Sequence, residues 1–390
     1  MPGLPTPSGS EPRRLLIRAV NWLGDAVMTT PALQRLRERF PRSHFTLLTD
    51  QKLASLWLHH PALDRVLTFS REEGVFSLAS RLRAETFDGA LILPNSPRSA
   101  IETWLARIPR RTGYARPWRN AFLTQAIPAR PDNSPMRKRP VREIRRLAGH
   151  GRRPAMEGDS PVRTAPLLGH QIHEYLHLAS ALGADSSPLP PFLTVTPEEV
   201  EGAGKTWLPR CMQLCGPLAS TCPPLVLGLN PSAAYGPAKR WPVENFAAVA
   251  RELRRWKENC VCVVFGAAND REIGETIARQ SGGCALNLAG QTSLRELMIL
   301  LKLCRVVLTN DSGPMHVAAA LGTPVVALFG STSPELTGPG LPGDPRHQVL
   351  RAAAPCSPCF RRSCPIDLRC LTAISVSQAV SALRQVLKLG

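Results

Sequence analysis

Aromatic side chains are scarce in this sequence: Phe, Trp and Tyr make up 5% of its 390 residues, and only three are tyrosine. Proteins that hold single-stranded nucleic acid stack bases on aromatic rings set among basic residues. This chain has the charge for such a partner, 48 Lys and Arg against 30 Asp and Glu for a net +18, but it lacks the rings. No recognisable nucleic-acid module accompanies that charge. A basic nucleic-acid-binding protein is thus the non-enzyme rival, and nucleic acid is not the expected partner. Long apolar runs are also missing, none approaching the ~18 residues of a membrane span. The opening MPGLPTPSGSEPRR has Pro, Gly and Ser where a signal peptide needs an apolar core, so residues 1–12 read as a disordered tail and the protein as cytoplasmic. No strand leads directly into G-x-G-x-x-G, which leaves nicotinamide chemistry without its usual site. No D-x-D pair is present to hold a catalytic Mg²⁺. Eleven cysteines are not few, but in a long chain without an export signal they read as reduced thiols.

What is present is an alternation repeated twice. The runs Leu15 to Val20, HFTLLTD, RVLTFS and GALILPNS read as strands, with a tight turn at Gly24-Asp25 and helical stretches between them. After Pro188, Pro190 and Pro191 the pattern restarts with PLVLGLNPS, CVCVVFGAAND, ALNLAG, RVVLTNDSG and PVVALFG. Strands alternating with helices predict parallel βαβ units. The fold class is therefore α/β, with two doubly wound domains at 13–190 and 191–372 and a C-terminal helix at 373–390. Residues 129–168 break the pattern and read as a mobile basic loop with one short helix. Charge concentrates around it: Arg107 to Arg163 holds fifteen Lys or Arg and four Asp or Glu, +11 of the total.

In open parallel sheets ligands sit at the carboxyl ends of the strands. Those ends carry Asn230, Pro231, Ser232, Gly266, Asn310, Asp311, Ser312 and Gly313. The turn Asn310-Asp311-Ser312-Gly313, with His316 just beyond, can cap the following helix or offer its N–H groups to a phosphate. Lys239 or Arg240 in GPAKRWP is either a solvated cation or the charge that a phosphate ester needs as it breaks. Asp25 in NWLGDAV is either an N-cap or a base, since a carboxylate of reference pKa about 3.9 is ionised at neutral pH. Cys356, Cys359, Cys364 and Cys370 form a C-x₂-C-x₄-C-x₅-C run that reads as a reduced Cys-rich loop or as ligands for structural zinc or an iron–sulfur cluster.

NWLGDAVMTTPALQRLRERFP, LPNSPRSA, IPRRTGY, NPSAAYGPAKRWPVENFAAVA, VVFGAANDRE, NLAGQTSL and VLTNDSGPMHVAAALGTPVVALFGSTSP stand in this order. Together they resemble glycosyltransferase family 9, the ADP-heptose:lipopolysaccharide heptosyltransferases, with the heptosyltransferase II branch nearest. The likeness spans about residues 14 to 128 and 173 to 375.

The resemblance implies a GT-B fold: two Rossmann-like doubly wound domains facing a central cleft, acceptor on the first, ADP-sugar on the second, and the C-terminal helix packing back on the first. It implies inverting, metal-independent transfer of L-glycero-D-manno-heptose from ADP-L-glycero-β-D-manno-heptose to the inner-core heptose of lipopolysaccharide, with heptosyl-Kdo₂-lipid A as acceptor and no required cofactor. Asp25 then matches the general base and Lys239 the partner of the donor phosphates. Ser232, Asp311, Ser312, Gly313 and His316 match the donor-binding turns, and Asp270 or Glu272 the region contacting the nucleoside. Asn21, Trp22, Asn95 and Arg98 are the acceptor-side candidates. Location at the inner face of the inner membrane is expected, with the basic stretch 129–168 against anionic lipid. A family 9 transferase with a different acceptor or sugar is the rival within enzymes.

Overall fold

The computed structural model describes residues 11–131, 136–149, 169–215 and 223–389. Most of the expected N-terminal tail, and much of the basic stretch, fall outside them. In chain order the elements are β1 (Arg14–Arg18), α1 (Leu23–Met28), α2 (Thr30–Arg39), β2 (His44–Asp50), β3 (Arg65–Phe69), α3 (Val75–Ala84), β4 (Gly89–Ile92), α4 (Pro97–Leu105), β5 (Arg110–Tyr114), β6 (Gln125–Ile127), α5 (Val141–Gly149) and α6 (Ile172–Ser180). They continue with α7 (Pro197–Cys215), β7 (Leu225–Asn230), α8 (Val243–Trp256), β8 (Cys260–Val264), α9 (Arg271–Gln280), β9 (Ala285–Asn287), α10 (Leu294–Leu303), β10 (Val306–Asn310), α11 (Gly313–Ala320), β11 (Val325–Phe329), α12 (Pro334–Thr337), β12 (His347–Arg351), α13 (Arg369–Thr372) and α14 (Val376–Leu389).

The chain divides into two compact units, residues 1–133 with 168–194, and residues 134–167 with 195–390. The first holds a six-stranded sheet in the order β3-β2-β1-β4-β5-β6, the second one in the order β12-β11-β10-β7-β8-β9. All pairs are parallel, with Leu15 opposite Phe45 and Gly89, and Leu308 opposite Leu229 and Val326. A parallel strand covered on both faces needs a near-continuous apolar run. Leu15, Leu16 and Ile17 in β1, and Val306, Val307 and Leu308 in β10, satisfy that by being buried without alternation. Winding reverses between β1 and β4 in the first sheet and between β7 and β10 in the second, which opens the crevice where such sheets bind ligands.

Two expectations change. Gly24 and Asp25 lie within the first turn of α1; the chain bends just before it, at Asn21-Trp22, and the helix breaks before the Thr30-Pro31 start of α2. The helix in the basic stretch, α5, belongs to the second unit. Ile144 is buried in that unit's core with Trp241, Phe246, Cys356 and Leu371, and Arg139 N–H donates to Cys359 C=O at 3.0 Å. The C-terminal helix α14 also packs there, burying Ala379, Val380, Leu383 and Val386 in the same core and resting on α8. In both helices the apolar stripe is matched by a facing core, which decides the docking.

Burial pulls His60, in the first unit, and His347, in the second, down to about 4. Each is neutral in the folded chain at pH 5–7, whereas an unfolded histidine titrates near about 6.5. The unfolded state therefore binds more protons below that value, and stability falls as pH drops from about 6.5 toward 4. Urea midpoints measured at pH 7 and pH 5 are expected to show this loss. His60→Asn, which still presents an acceptor to the Ala62 N–H that His60 Nδ1 accepts at 3.3 Å, is expected to flatten the slope; an unchanged slope would remove His60 from the account.

Candidate active site

In the second unit the last residues of β7 and β10 tie the switch point together. Asn230 Nδ2 donates to Thr309 Oγ1 at 2.9 Å and to Ser312 Oγ at 2.7 Å. Asn310 Nδ2 donates to Pro231 C=O at 2.6 Å, while its Oδ1 accepts the Trp241 N–H at 3.1 Å. Two asparagines thus fix the turns carrying Ser232 and Asp311. Ser312 is the N-cap of α11, yet its hydroxyl makes no capping bond. Instead the group that could have capped the helix is held sideways by Asn230. The first turn of α11 keeps its backbone dipole without a side-chain cap, the condition an anion exploits. Gly313 is helical, so its contribution is the lack of a side chain; His316 is buried one turn in. Ser232 Oγ is buried and meets no hydrogen-bond partner among the described residues.

Lys239 reaches this turn. Its Nζ lies 2.6 Å from Asp311 Oδ2, and that carboxylate also accepts from the Thr332 hydroxyl. Asp311, matched to the donor-binding turns by the resemblance, is thus paired inside the protein. The lysine ammonium also stands 4.8 Å from the centre of the Tyr235 ring, a cation–π arrangement, and Tyr235 Oη donates to Phe360 C=O at 2.8 Å. The turn before it requires Gly236: φ is +149°, and a Cβ would fall 2.5 Å from the Arg362 carbonyl oxygen. The loop containing Cys359 and Cys364 therefore braces the segment that carries Lys239. Sequence reasoning missed Tyr235, Thr332 and Phe360, although Tyr235 stands inside a quoted motif and Thr332 in STSP.

Asp270 uses its carboxylate internally, accepting the Ala267 N–H at 3.0 Å and lying 3.8 Å from Arg240. Glu272, in the first turn of α9, is exposed. Cys356, Cys359, Cys364 and Cys370 line one small cavity with Ile144, Ala238 and Ser331. Burial raises the Cys356, Cys359 and Cys370 thiols, Cys370 to about 12. Among the described residues no three His, Cys, Asp or Glu side chains are arranged to hold a metal ion.

In the first unit Asp25 is half-buried in the first turn of α1, and Gln171 Nε2 donates to its Oδ1 at 3.4 Å and to Tyr175 Oη at 3.1 Å. Burial, and then the Asp25 charge, push the Tyr175 phenol well above its usual value. Asn21, Trp22 and Asn95 are exposed at the carboxyl ends of β1 and β4. Arg98 is held by Glu102, Nε to Oε1 at 2.7 Å, and the other oxygen of that buried carboxylate accepts from Arg18 Nε at 3.0 Å. Arg18 lies over the Phe69 ring. Arg18 and Glu102 carried no signal in the sequence beyond their charge.

The comparisons with known proteins bear on the family and the fold. Residues 170–369 match the family described as glycosyltransferase family 9 (heptosyltransferase). The chain is 31% identical to lipopolysaccharide heptosyltransferase 2 of Escherichia coli (strain K12) over 339 residues, covering 84% of this chain and 85% of that protein. It is 29% identical to the protein of the same name from Salmonella typhimurium, with the same coverage. The solved structure of E. coli ADP-heptose LPS heptosyltransferase II superposes with a TM-score of 0.70 at 26% identity, over 96% of this chain and 99% of that one.

Proposed function

This chain belongs to glycosyltransferase family 9, and from that premise we propose that it moves a heptose from an ADP-heptose donor to the inner-core heptose of lipopolysaccharide, in one inverting step and without a catalytic metal. The observation that carries the reading is the second unit's switch point, where Lys239, Asp311 and Thr332 converge beside the uncapped start of α11. A diphosphate there meets helix N–H groups, a lysine and the Ser232 hydroxyl, which has no hydrogen-bond partner among the described residues. Glu272 is our choice for the nucleoside contact, because Asp270 is occupied holding its own turn.

In the reaction, the acceptor hydroxyl oxygen bonds to C1 of the heptose from the face opposite the diphosphate. Asp25 takes the hydroxyl proton, and the C1–O bond to the diphosphate breaks with its electron pair, releasing ADP. Lys239 and the α11 terminus meet the charge that develops on the departing group, which is where preorganised donors act most strongly. The acceptor is membrane-borne on this reading, while no helix among the described residues is long and apolar enough to cross a membrane. Arg137, Lys138, Arg142 and Arg145 are exposed and suit an anionic lipid surface. Reversing them to Glu is the cleaner test of that contact, because deleting 129–168 would also remove Ile144 from the core.

The test of function is ADP release from ADP-L-glycero-β-D-manno-heptose in EDTA, with and without a Kdo₂-lipid A acceptor already carrying one heptose. Release dependent on that acceptor is the expected result. Release only with another acceptor would retain the donor site and change the acceptor; a strict metal requirement would overturn the metal-free step.

A further inference from the structure

Charge at the second unit's switch point does not balance against a diphosphate. Lys239 is offset by Asp311 at 2.6 Å, and Arg240 lies 3.8 Å from Asp270. Each cation comes with its own carboxylate, so the two pairs bring no net charge to a multiply charged anion. Transfer without a metal leaves that charge to the protein's own donors, of which the α11 terminus supplies a fraction. Arg362 differs from both cations. It is exposed, and among the described residues its guanidinium makes no hydrogen bond or ion pair.

The backbone fixes Arg362 beside the Lys239 turn. Ala238 N–H donates to the Arg362 carbonyl at 2.9 Å, in the close approach that Gly236 permits. Two residues earlier Phe360 stands at φ +52°, an unusual conformation for a bulky side chain. It is held there because its N–H donates to Ser331 C=O at 2.7 Å and its carbonyl accepts from Tyr235 Oη. The two arginines that follow are used differently. Arg361 Nε is tied to Arg139 C=O at 3.0 Å, whereas Arg362 lies over the Tyr235 ring with Cζ 5.4 Å from its centre. Lys239 Nζ meets the same ring at 4.8 Å, so two cations converge on one aromatic group. A cation–π contact at an exposed site is weak beside a charge-assisted hydrogen bond to phosphate, and Arg362 can exchange the first for the second.

We propose that Arg362 is a second cation of the donor site, which swings from Tyr235 onto the β-phosphate of a nucleoside diphosphate and holds it through two parallel hydrogen bonds. The proposal rests on the donor-site reading given above and adds to it a residue of the cysteine-rich loop. The β-phosphate carries the oxygen that leaves C1, so its negative charge rises as ADP departs. A guanidinium fork placed there acts on the departing group more than on the bound donor.

Arg362→Ala is the test variant. It removes the side chain and leaves the carbonyl that holds Ala238, so its urea midpoint is expected to match wild type. Calorimetric titration with ADP and with AMP locates the contact, because AMP lacks the β-phosphate. The expected result is an ADP Kd raised about 10-fold with AMP affinity near wild type, and kcat for ADP-heptose lowered about 10- to 100-fold. Arg362→Lys keeps the charge without the fork and should fall between. An unchanged ADP Kd overturns the assignment, and so does an equal loss of ADP and AMP affinity. Neither titration involves an acceptor or transfer. If the Arg362→Ala loss is confined to ADP but wild type releases no ADP from ADP-heptose, the transfer reading alone is struck. Wild type that binds no ADP would remove the donor site, and Arg362 with it.

Discussion

Asp25→Asn is expected to lower turnover by about 10²–10⁴-fold, the usual contribution of a positioned general base. Asparagine has the same shape and can still meet the Gln171 amide that donates to Asp25 Oδ1 at 3.4 Å. What it cannot do is accept a proton from the attacking hydroxyl. Binding of ADP-heptose should be unchanged, because the residues proposed to hold the donor belong to the second unit. Single-turnover ADP release and calorimetric donor titration separate the two quantities. A variant with near-wild-type single-turnover rate would remove Asp25 from the mechanism.

Lys239→Ala combines a chemical loss with a structural one. Losing one preorganised charge at the leaving group typically costs on the order of 10²–10³ in rate. Asp311, however, is 3% exposed and, among the described residues, keeps the Thr332 hydroxyl alone when the lysine is gone. An unpaired buried carboxylate is destabilising by up to roughly 3–5 kcal/mol. The single variant is therefore expected to unfold at lower urea as well as to turn over slowly. Adding Asp311→Asn removes the stranded charge. The double variant should recover most of the stability and none of the activity, as read by urea denaturation and ADP release on the same samples. Recovery of both would mean that the lysine serves the fold and not the phosphates.

Much of this architecture was legible because parallel strands buried on both faces must be written as apolar runs. HFTLLTD, CVCVV and VVLTN predict β2, β8 and β10 directly, and the polar residues after them mark the ligand end of each sheet. The strands β5, β6 and β12, with sequences RRTGY, QAI and HQVLR, lack such runs. β6 and β12 lie at sheet edges, where burial asks less of the sequence. The 19-residue α7 went unread, broken in pattern by Pro209 and two glycines. At the site, Lys239, Asp311 and Ser312 could be singled out because they sit in turns between apolar runs. Which of them would pair could not, since Asp311 meets Lys239 and Thr332 through three separate strand ends. Arg18 with Glu102, and Arg119 with Pro94, are contacts across many residues of chain, set by sheet order and not by local spacing.

The placement of α5 also bears on how the protein is made. Residues 136–149 emerge during synthesis before any strand of the sheet they belong with, and the chain must then supply α6 to the first unit before β7 appears. Ile144 and Leu147 are thus born without the surface that later covers them. The first unit can close around α6 while the second waits for its own strands, so order of manufacture favours the amino-terminal half. A fragment started at Val195 would inherit the whole second sheet and still lack one of its walls, which makes the two halves inseparable by a single cut.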